Sequence, residues 1–331
     1  MRILVTGGAG FIGSNFIRYV LEKRGWHVIN LDKLGYGSNL ENLKDVENNP
    51  RYEFVKGDIN NFDLVSKILK KTDAVVNFAA ETHVDRSISN PYSFIESNIL
   101  GVYTILEAAR KVNPDIRIVH VSTDEVYGDT LDGSFRENDR LFPSSPYSAS
   151  KAAGDMLVLG YARTYNLNVS ITRCTNNYGP YQFPEKLIPK TIIRASMNLR
   201  VPVYGSGRNV RDWLYVLDHC EAILLVLEKG ERREIYNISS GEEKMNIDVV
   251  KTILELMGKD ESLIEFVEDR PGHDLRYSLD SSKIRELGWK PKNSFREGIK
   301  KTVEWYLENE WWWRPIADDR TLHPTPWKLR W

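Results

Sequence analysis

The stretch Ser122-Thr123-Asp124-Glu125-Val126-Tyr127-Gly128 sets one hydroxyl and two adjacent carboxylates behind the apolar, β-branched run Ile116-Arg117-Ile118-Val119-His120-Val121. Such a run reads as a buried strand, so Thr123, Asp124 and Glu125 are expected at its mouth. Nineteen residues past Gly128, Tyr147-Ser148-Ala149-Ser150-Lys151 opens a helical pattern. A spacing of four places the phenol and the ammonium one turn apart on one face. A lysine, joined by any second positive charge nearby, is expected to lower the pKa of Tyr147 until the phenol is a usable base. Thr123 can share a substrate hydroxyl with it. Such a set takes a proton from an alcohol, provided that something else takes the hydride.

That acceptor is written into the first thirty residues. Arg2-Ile3-Leu4-Val5-Thr6 reads as a strand running into Gly7-Gly8-Ala9-Gly10-Phe11-Ile12-Gly13, after which a helix is expected to about Arg24. Glycines at 7, 10 and 13 allow a tight turn and close backbone approach to a pyrophosphate, whose charge meets the helix N-terminus. His27-Val28-Ile29-Asn30-Leu31-Asp32 is a second strand ending in an acid nineteen residues past Gly13, where a carboxylate can accept from a ribose hydroxyl. Asp32 would repel a 2′-phosphate, which favours NAD over NADP, although Lys33 beside it works the other way. A third strand, 52–55, leads to Gly57-Asp58-Ile59, with Asp58 placed for the adenine edge. A fourth, 73–78, gives way to the small residues Ala79-Ala80-Glu81-Thr82. Alternating strands and helices predict an α/β fold with a doubly wound parallel (Rossmann) sheet.

The second half changes rhythm. Helices expected at 92–111 and from Tyr147 onwards are apolar on two faces, which predicts burial against the sheet and against a second subunit, a homodimer. After a strand at 168–173, Asn176-Asn177-Tyr178-Gly179-Pro180 reads as turn chemistry, followed by a helix to about Asn198 and extended pieces at 201–204 and 211–213. A helix at 216–228 and a strand at 234–238 rejoin the sheet, and Asn246 is expected to cap the next helix. The expected division is a dinucleotide-binding domain over 1–175, rejoined by about 213–242, and a smaller C-terminal α/β substrate lobe from 176–212 and 243–331. In that lobe the polar run 268–277 carries Arg270, His273 and Arg276, and guanidinium forks suit a phosphate. Trp311-Trp312-Trp313 are expected to pack the terminal helix on this lobe.

With 45 basic and 46 acidic side chains the net charge is -1, so neither a nucleic-acid groove nor a polybasic membrane patch is expected. Cys174 and Cys220 have no metal-ligand or disulfide-rich spacing, no metal site is predicted, and the N-terminal strand shows no secretory h-region. A cytoplasmic enzyme is the expectation.

The chain is similar to the extended short-chain dehydrogenase/reductase family. Thr123-Asp124-Glu125-Val126-Tyr127-Gly128, His83-Val84-Asp85-Arg86-Ser87 and Asp269-Arg270-Pro271-Gly272-His273 resemble nucleotide-sugar 4,6-dehydratases, most strongly those acting on dTDP-glucose. The likeness extends through Glu310-Trp311-Trp312-Trp313-Arg314-Pro315 and leaves only the last dozen residues unmatched. It implies dehydration of dTDP-glucose to the 4-keto-6-deoxy sugar nucleotide in deoxysugar biosynthesis, with Asp124 as acid and Glu125 as base. Oxidising the C4 hydroxyl to a ketone acidifies the C5 proton; a carboxylate removes it, the C6 hydroxyl leaves as water, and hydride returns to C6.

Position by position, the resemblance assigns Phe11, Ile12, Asp32, Lys33, Asp58, Ile59, Ala80, Thr82, Ser97, Tyr147, Lys151 and Asn177 to NAD, beside Gly7, Gly10 and Gly13. It assigns Thr82, Thr123, Asn176, Glu185, Lys186, Leu187, Pro202, Tyr204, Arg211, Asn246, Arg270, His273 and Arg276 to the sugar nucleotide. The rivals are a nucleotide-sugar 4-epimerase, which needs no acid/base pair, a decarboxylase, a UDP-sugar 4,6-dehydratase, and an NAD-sensing protein without turnover. Replacing Tyr147 by Phe is expected to abolish alcohol oxidation and leave NAD bound, because the ring still packs and only the proton acceptor is lost. Near-wild-type turnover of that variant would remove Tyr147 from the chemistry.

Overall fold

The computed structural model describes residues 1–331. Along the first half run β1 (Arg2–Thr6), α1 (Phe11–Lys23), β2 (His27–Asp32), β3 (Tyr52–Lys56), α2 (Phe62–Leu69) and β4 (Ala74–Asn77). Two short helices, α3 (Val84–Ser89) and α4 (Tyr92–Ile95), lead through a π-helical turn at Glu96–Leu100 into α5 (Gly101–Val112). Then come β5 (Arg117–Thr123), α6 (Pro146–Tyr165) and β6 (Val169–Cys174). The second half holds β7 (Asn176–Tyr178), α7 (Leu187–Ser196), β8 (Val201–Tyr204), β9 (Val210–Tyr215), α8 (Val216–Lys229) and β10 (Ile235–Ile238). It closes with β11 (Glu243–Met245), α9 (Asn246–Leu256), β12 (Ile264–Val267), α10 (Ser282–Glu286), α11 (Phe295–Glu308) and α12 (Glu310–Trp313).

Seven strands form one sheet in the order β10-β6-β5-β4-β1-β2-β3, parallel at every junction. The central strands read as nearly unbroken apolar runs because both of their faces are covered. Phe16, Val20 and Ile223, from α1 and α8, belong to the core on one face, and Val65, Ile105 and Val158, from α2, α5 and α6, to the core on the other. Strand order reverses between β1 and β4. The crevice of a doubly wound sheet opens at such a point, at the carboxyl ends of the strands.

Smaller sheets, β11-β9-β7 and β12-β8, carry the rest of the chain. Tyr178, Ile192, Trp213, Ile253, Phe295, Trp312 and Trp313 form a third core among them; Trp311, expected to pack with its two neighbours, instead faces solvent on the outer side of the short helix. Trp312 also donates from Nε1 to Asn42 Oδ1 at 2.8 Å, tying this lobe to the first.

Local departures from the sequence reading cluster around the crevice. Asn176–Tyr178 is a strand rather than a turn, since it finds a parallel partner in Trp213–Tyr215; the turn follows at Gly179, with φ 148°. The helix expected over 92–111 is interrupted at 96–100 by the π turn, and α3 falls where no helix was expected. Asn246 begins α9 without capping it: Met245 occupies the cap position, and the Asn246 Oδ1 is buried without a partner. No helix is long and apolar enough to cross a membrane.

Candidate active site

The glycine turn after β1 is as tight as its sequence requires. Gly7 sits at φ 67°, and a Cβ there would lie 2.7 Å from the Ala79 backbone; one on Gly13 would lie 2.5 Å from the Gly7 carbonyl oxygen. Gly10 caps α1 without a side-chain bond, and the first turn of α1 carries no acidic residue, so its amides remain open to an anion. Asp32, at the end of β2, accepts from the Ala9 amide at 3.0 Å and the Leu34 amide at 2.8 Å. Burial raises its pKa, and those amide bonds oppose the shift. The carboxylate thus braces the glycine turn while lining the cavity above it.

That cavity runs from Gly7, Gly10, Phe11, Ile12 and Gly13 past Asp32, Lys33, Asp58 and Ile59, and then past Ala80, Thr82 and Ser97. It ends at Thr123, Asp124, Glu125, Tyr147, Lys151, Asn176 and Asn177. A dinucleotide fits this course: open helix amides for the pyrophosphate, acids along the adenosine end, and a phenol and lysine at the far end. The π turn helps to build the wall. It presents Ser97 to Lys33, whose Nζ donates to Ser97 Oγ at 3.0 Å, and lets Asn98 clasp both backbone groups of Glu81.

Tyr147 stands in the first turn of α6, fixed by a Ser145–Ser148 capping box and by Pro146 at the helix start. Lys151 follows one turn later and donates from Nζ to the Val121 carbonyl of β5 at 2.8 Å. Beyond β5 the chain enters a 3₁₀ turn, Asp124–Tyr127, capped by Thr123. The expectation of a lowered Tyr147 pKa is not met in the protein alone: burial, then the Glu125 charge, push the phenol well above its ordinary value, against a hydrogen bond with Thr123. Lys151 is itself shifted down by burial, with Asp155 opposing, so its cation does not outweigh these effects.

Adjacent acids differ in their surroundings. Burial first, and Glu125 second, hold the Asp124 carboxyl well above the usual carboxylate range; Thr123 Oγ1 donates to its Oδ1 at 3.2 Å, and its Oδ2 is buried without a partner. Burial also raises Glu125, but Arg270, Arg211 and Lys186 all oppose it. The first is therefore suited to keep a proton and the second to lose one.

A second cavity shares Glu125, Asn176, Asn177 and Lys186 with the first and continues past Glu185, Leu187, Pro202 and Tyr204. Arg211, Asn246, Arg270 and His273 complete its wall. Arg270 pairs with Asp85 at 3.0 Å, and the Tyr204 hydroxyl donates to the same carboxylate at 3.1 Å. Lys186 donates to the Thr82 carbonyl at 2.8 Å. Burial and Arg270 lower the His273 pKa to about 4, despite Asp269 at 2.6 Å. Arg276 is not on this wall: its guanidinium grips both oxygens of Glu243 at 2.6 and 2.7 Å, where β11 runs beside it.

A family model described as GDP-mannose 4,6 dehydratase matches residues 4–302. A dTDP-glucose 4,6-dehydratase of Streptomyces niveus is 50% identical, over 98% of this chain and 98% of its own length. The corresponding enzyme of Escherichia coli is 48% identical over 96% and 97%. The chain belongs to the nucleotide-sugar 4,6-dehydratases. A crystal structure of DesIV, the dTDP-glucose 4,6-dehydratase of Streptomyces venezuelae solved with NAD bound, superposes on this dehydratase with a TM-score of 0.94. It is 49% identical and covers 96% of this chain and 100% of its own.

Several wall residues of the dehydratase had no role in the sequence reading. Asp85 and His83 lay inside a motif used for the resemblance, whereas Tyr36, Phe183 and Cys174 carry no spacing signal, and only the fold brings them to the cavity. The buried acid at 124 has a measurable consequence. Its raised folded-state pKa means that the native protein holds the proton more tightly than the unfolded chain. Stability therefore falls as pH rises from the ordinary value of 3.8 to the raised one. Asp124→Asn carries no such penalty and is expected to melt roughly 2–4 °C higher at neutral pH, with the gain vanishing below pH ~4. Thermal melts of both proteins across pH would show it; a gain independent of pH would refute a buried, proton-holding Asp124.

Proposed function

We propose that this chain dehydrates dTDP-glucose to dTDP-4-keto-6-deoxyglucose, a lyase reaction with NAD as a catalytic group. The observation that carries this reading is the pair of adjacent carboxylates, both buried, one opposed by Arg211 and one by Arg270, Arg211 and Lys186, beside Thr123, Tyr147 and Lys151. When bound, the nicotinamide supplies the hydride acceptor for C4 and the hydride donor for C6. Tyr147, whose raised pKa the positive charge of a bound nicotinamide would bring down, takes the proton of the C4 hydroxyl, with Thr123 sharing the hydrogen bond and Lys151 supplying further positive charge nearby. Glu125 then removes the C5 proton, and Asp124 protonates the departing C6 hydroxyl. The base returns its proton to C5 at the end.

Arg270, Arg211 and Lys186 are proposed to face the diphosphate or the sugar, so their charge serves the substrate as well as Glu125. Arg276 is the weakest member of the proposed substrate set, since Glu243 occupies it. An epimerase reading leaves the Asp124–Glu125 pair without work. A UDP-sugar substrate remains the alternative within the same chemistry, and the relatives named for dTDP-glucose favour thymine.

The two lobes are proposed as 1–175 with 213–242, and 176–212 with 243–331. Ile284 and Trp289 of the second pack into the core of the first. A cytoplasmic location is proposed on the two buried, unpaired cysteines, and cell fractionation reads it directly. A homodimer through α4 to α6 is supported by large apolar side chains left in solvent there: Tyr92 at 63% exposure, with Leu100, Tyr103, Met156 and Tyr165. A C₂ contact that sets these faces against their copies buries all of them at once. Sedimentation at micromolar concentration is expected to give the dimer mass, and a monomer there removes this reading.

The central step is tested with Glu125→Gln, which keeps the shape of the side chain and loses the base. Mixed with dTDP-glucose, this variant is expected to form the 4-keto sugar and to exchange C5 hydrogen with solvent ~10²–10⁴-fold more slowly than wild type. Asp124→Asn should slow loss of water yet still exchange C5. Mass spectrometry of product and deuterium incorporation read both. Exchange at the wild-type rate in Glu125→Gln would show that Glu125 is not the base.

A further inference from the structure

The last eight residues, beyond the end of the family match at 302, come against Tyr36, a lining residue of the cofactor cavity. Pro326–Lys328 forms a 3₁₀ turn against α3, and Trp327 meets Tyr204 edge-on at 4.7 Å. Trp331 turns back over this turn, its Nε1 donating to the Pro326 carbonyl at 3.0 Å, with the Arg320 guanidinium 4.6 Å from its ring. The ring thus has a built seat. The same ring meets Tyr36 edge-on at 5.3 Å and lies 5.1 Å from the Arg86 guanidinium.

Tyr36 is the crest of the loop that leaves Asp32. That loop is anchored at one end by Asp32 and at the other by the Asn39 amide on the Ala9 carbonyl, and Lys33, Gly35, Tyr36, Gly37 and Ser38 all line the cavity. Between the anchors the backbone turns through positive φ at Leu34 (59°) and Gly37 (83°), and one internal bond, Ser38 amide to Gly35 carbonyl, supports it. Lys33 and Ser38 tie the ends of the loop to Ser97 and Asp32, and the crest itself is held through Tyr36. Its hydroxyl donates to Glu185, its ring meets His83 at 5.0 Å and Phe183 at 5.1 Å, and Arg86 stacks on it at 3.9 Å. Arg86 in turn pairs with Glu81, on the cavity wall, at 3.1 Å.

We propose that Trp331 is a positioning residue: it latches Tyr36, and with it the 33–38 loop, over the cofactor half of the cleft, so that the C-terminal segment sets how slowly NAD leaves. The inference rests on the NAD-dependent dehydratase reading above. A reaction that borrows one hydride and returns it is spoiled if the cofactor departs between the two steps, so a latch at the exit serves turnover without touching the reacting atoms. An aromatic pair with a stacked guanidinium resists opening more than a half-buried turn with two glycines can by itself.

The test is exchange of bound cofactor in the full-length protein. Wild type is loaded with radiolabelled NAD and chased with unlabelled NAD, and the label remaining is counted after gel filtration. Trp331→Ala and deletion of residues 324–331 are expected to lose label roughly tenfold faster, the factor that one lost aromatic contact corresponds to. Trp331→Phe should restore slow exchange. Leu322→Ala is the control for stability alone: it thins buried tail packing away from Tyr36 and should lower the melting temperature with exchange unchanged. Exchange within twofold of wild type in Trp331→Ala, or equal acceleration in Leu322→Ala, would overturn the latch. If wild type itself takes up no NAD, the cofactor reading of the cavity fails and the latch falls with it.

Discussion

Two ionisable carboxyl groups on consecutive residues, carried together into a buried turn, are the constraint around which this protein is arranged. In water Asp124 and Glu125 would titrate alike. At the mouth of β5 both lose solvation, and each charge opposes the other, so they can share the site only if their surroundings differ. The difference is supplied by Lys186 from the approach to α7 and Arg270 from the loop before α10, which act on Glu125, while Arg211 from β9 acts on both acids. None of these cations belongs to the parallel sheet that carries the acids. The second lobe therefore completes the electrostatics of the first as well as lending it a wall.

The cations must themselves be kept in place. Arg270 is held by Asp85, which also accepts from Tyr204, so α3 and β8 are joined through one carboxylate. Lys186 reaches back to the Thr82 carbonyl at the end of β4. These contacts cross the cleft, and each is a charge-assisted hydrogen bond, stronger than one between neutral groups. Short segments that periodicity does not mark, α3 and the π turn before α5, sit at this crossing because both sides of the cleft draw side chains from them.

Sequence alone determined the doubly wound sheet, since continuous apolar strands separated by helical patterns bury both faces whatever else the chain does. It also determined the cofactor half of the cleft. The glycine turn, Asp32, Asp58, Tyr147 and Lys151, which line the first cavity, lie at fixed distances along consecutive strand–helix units, so their spacing in the chain becomes their spacing in the sheet, whereas Ser97 was named only through the family resemblance. The same regularity held for β10, whose return beside β6 was legible from a helix and strand of ordinary length.

What tertiary structure decided is everything that depends on contact between distant segments. Asn176–Tyr178 looks like a turn until β9 offers it a parallel partner, and Arg276 looks like an anion clamp until β11 brings Glu243 to it. The protonation preferences of Asp124, Glu125 and Tyr147 were not in their own sequence either, because a pKa is set by desolvation and by charges from elsewhere in the chain. Tyr36, His83, Phe183 and Trp331 meet from four separated positions with no common spacing. Spacing along the chain fixes geometry only within a repeating unit; the field inside the cleft is a sum over residues that only folding brings near.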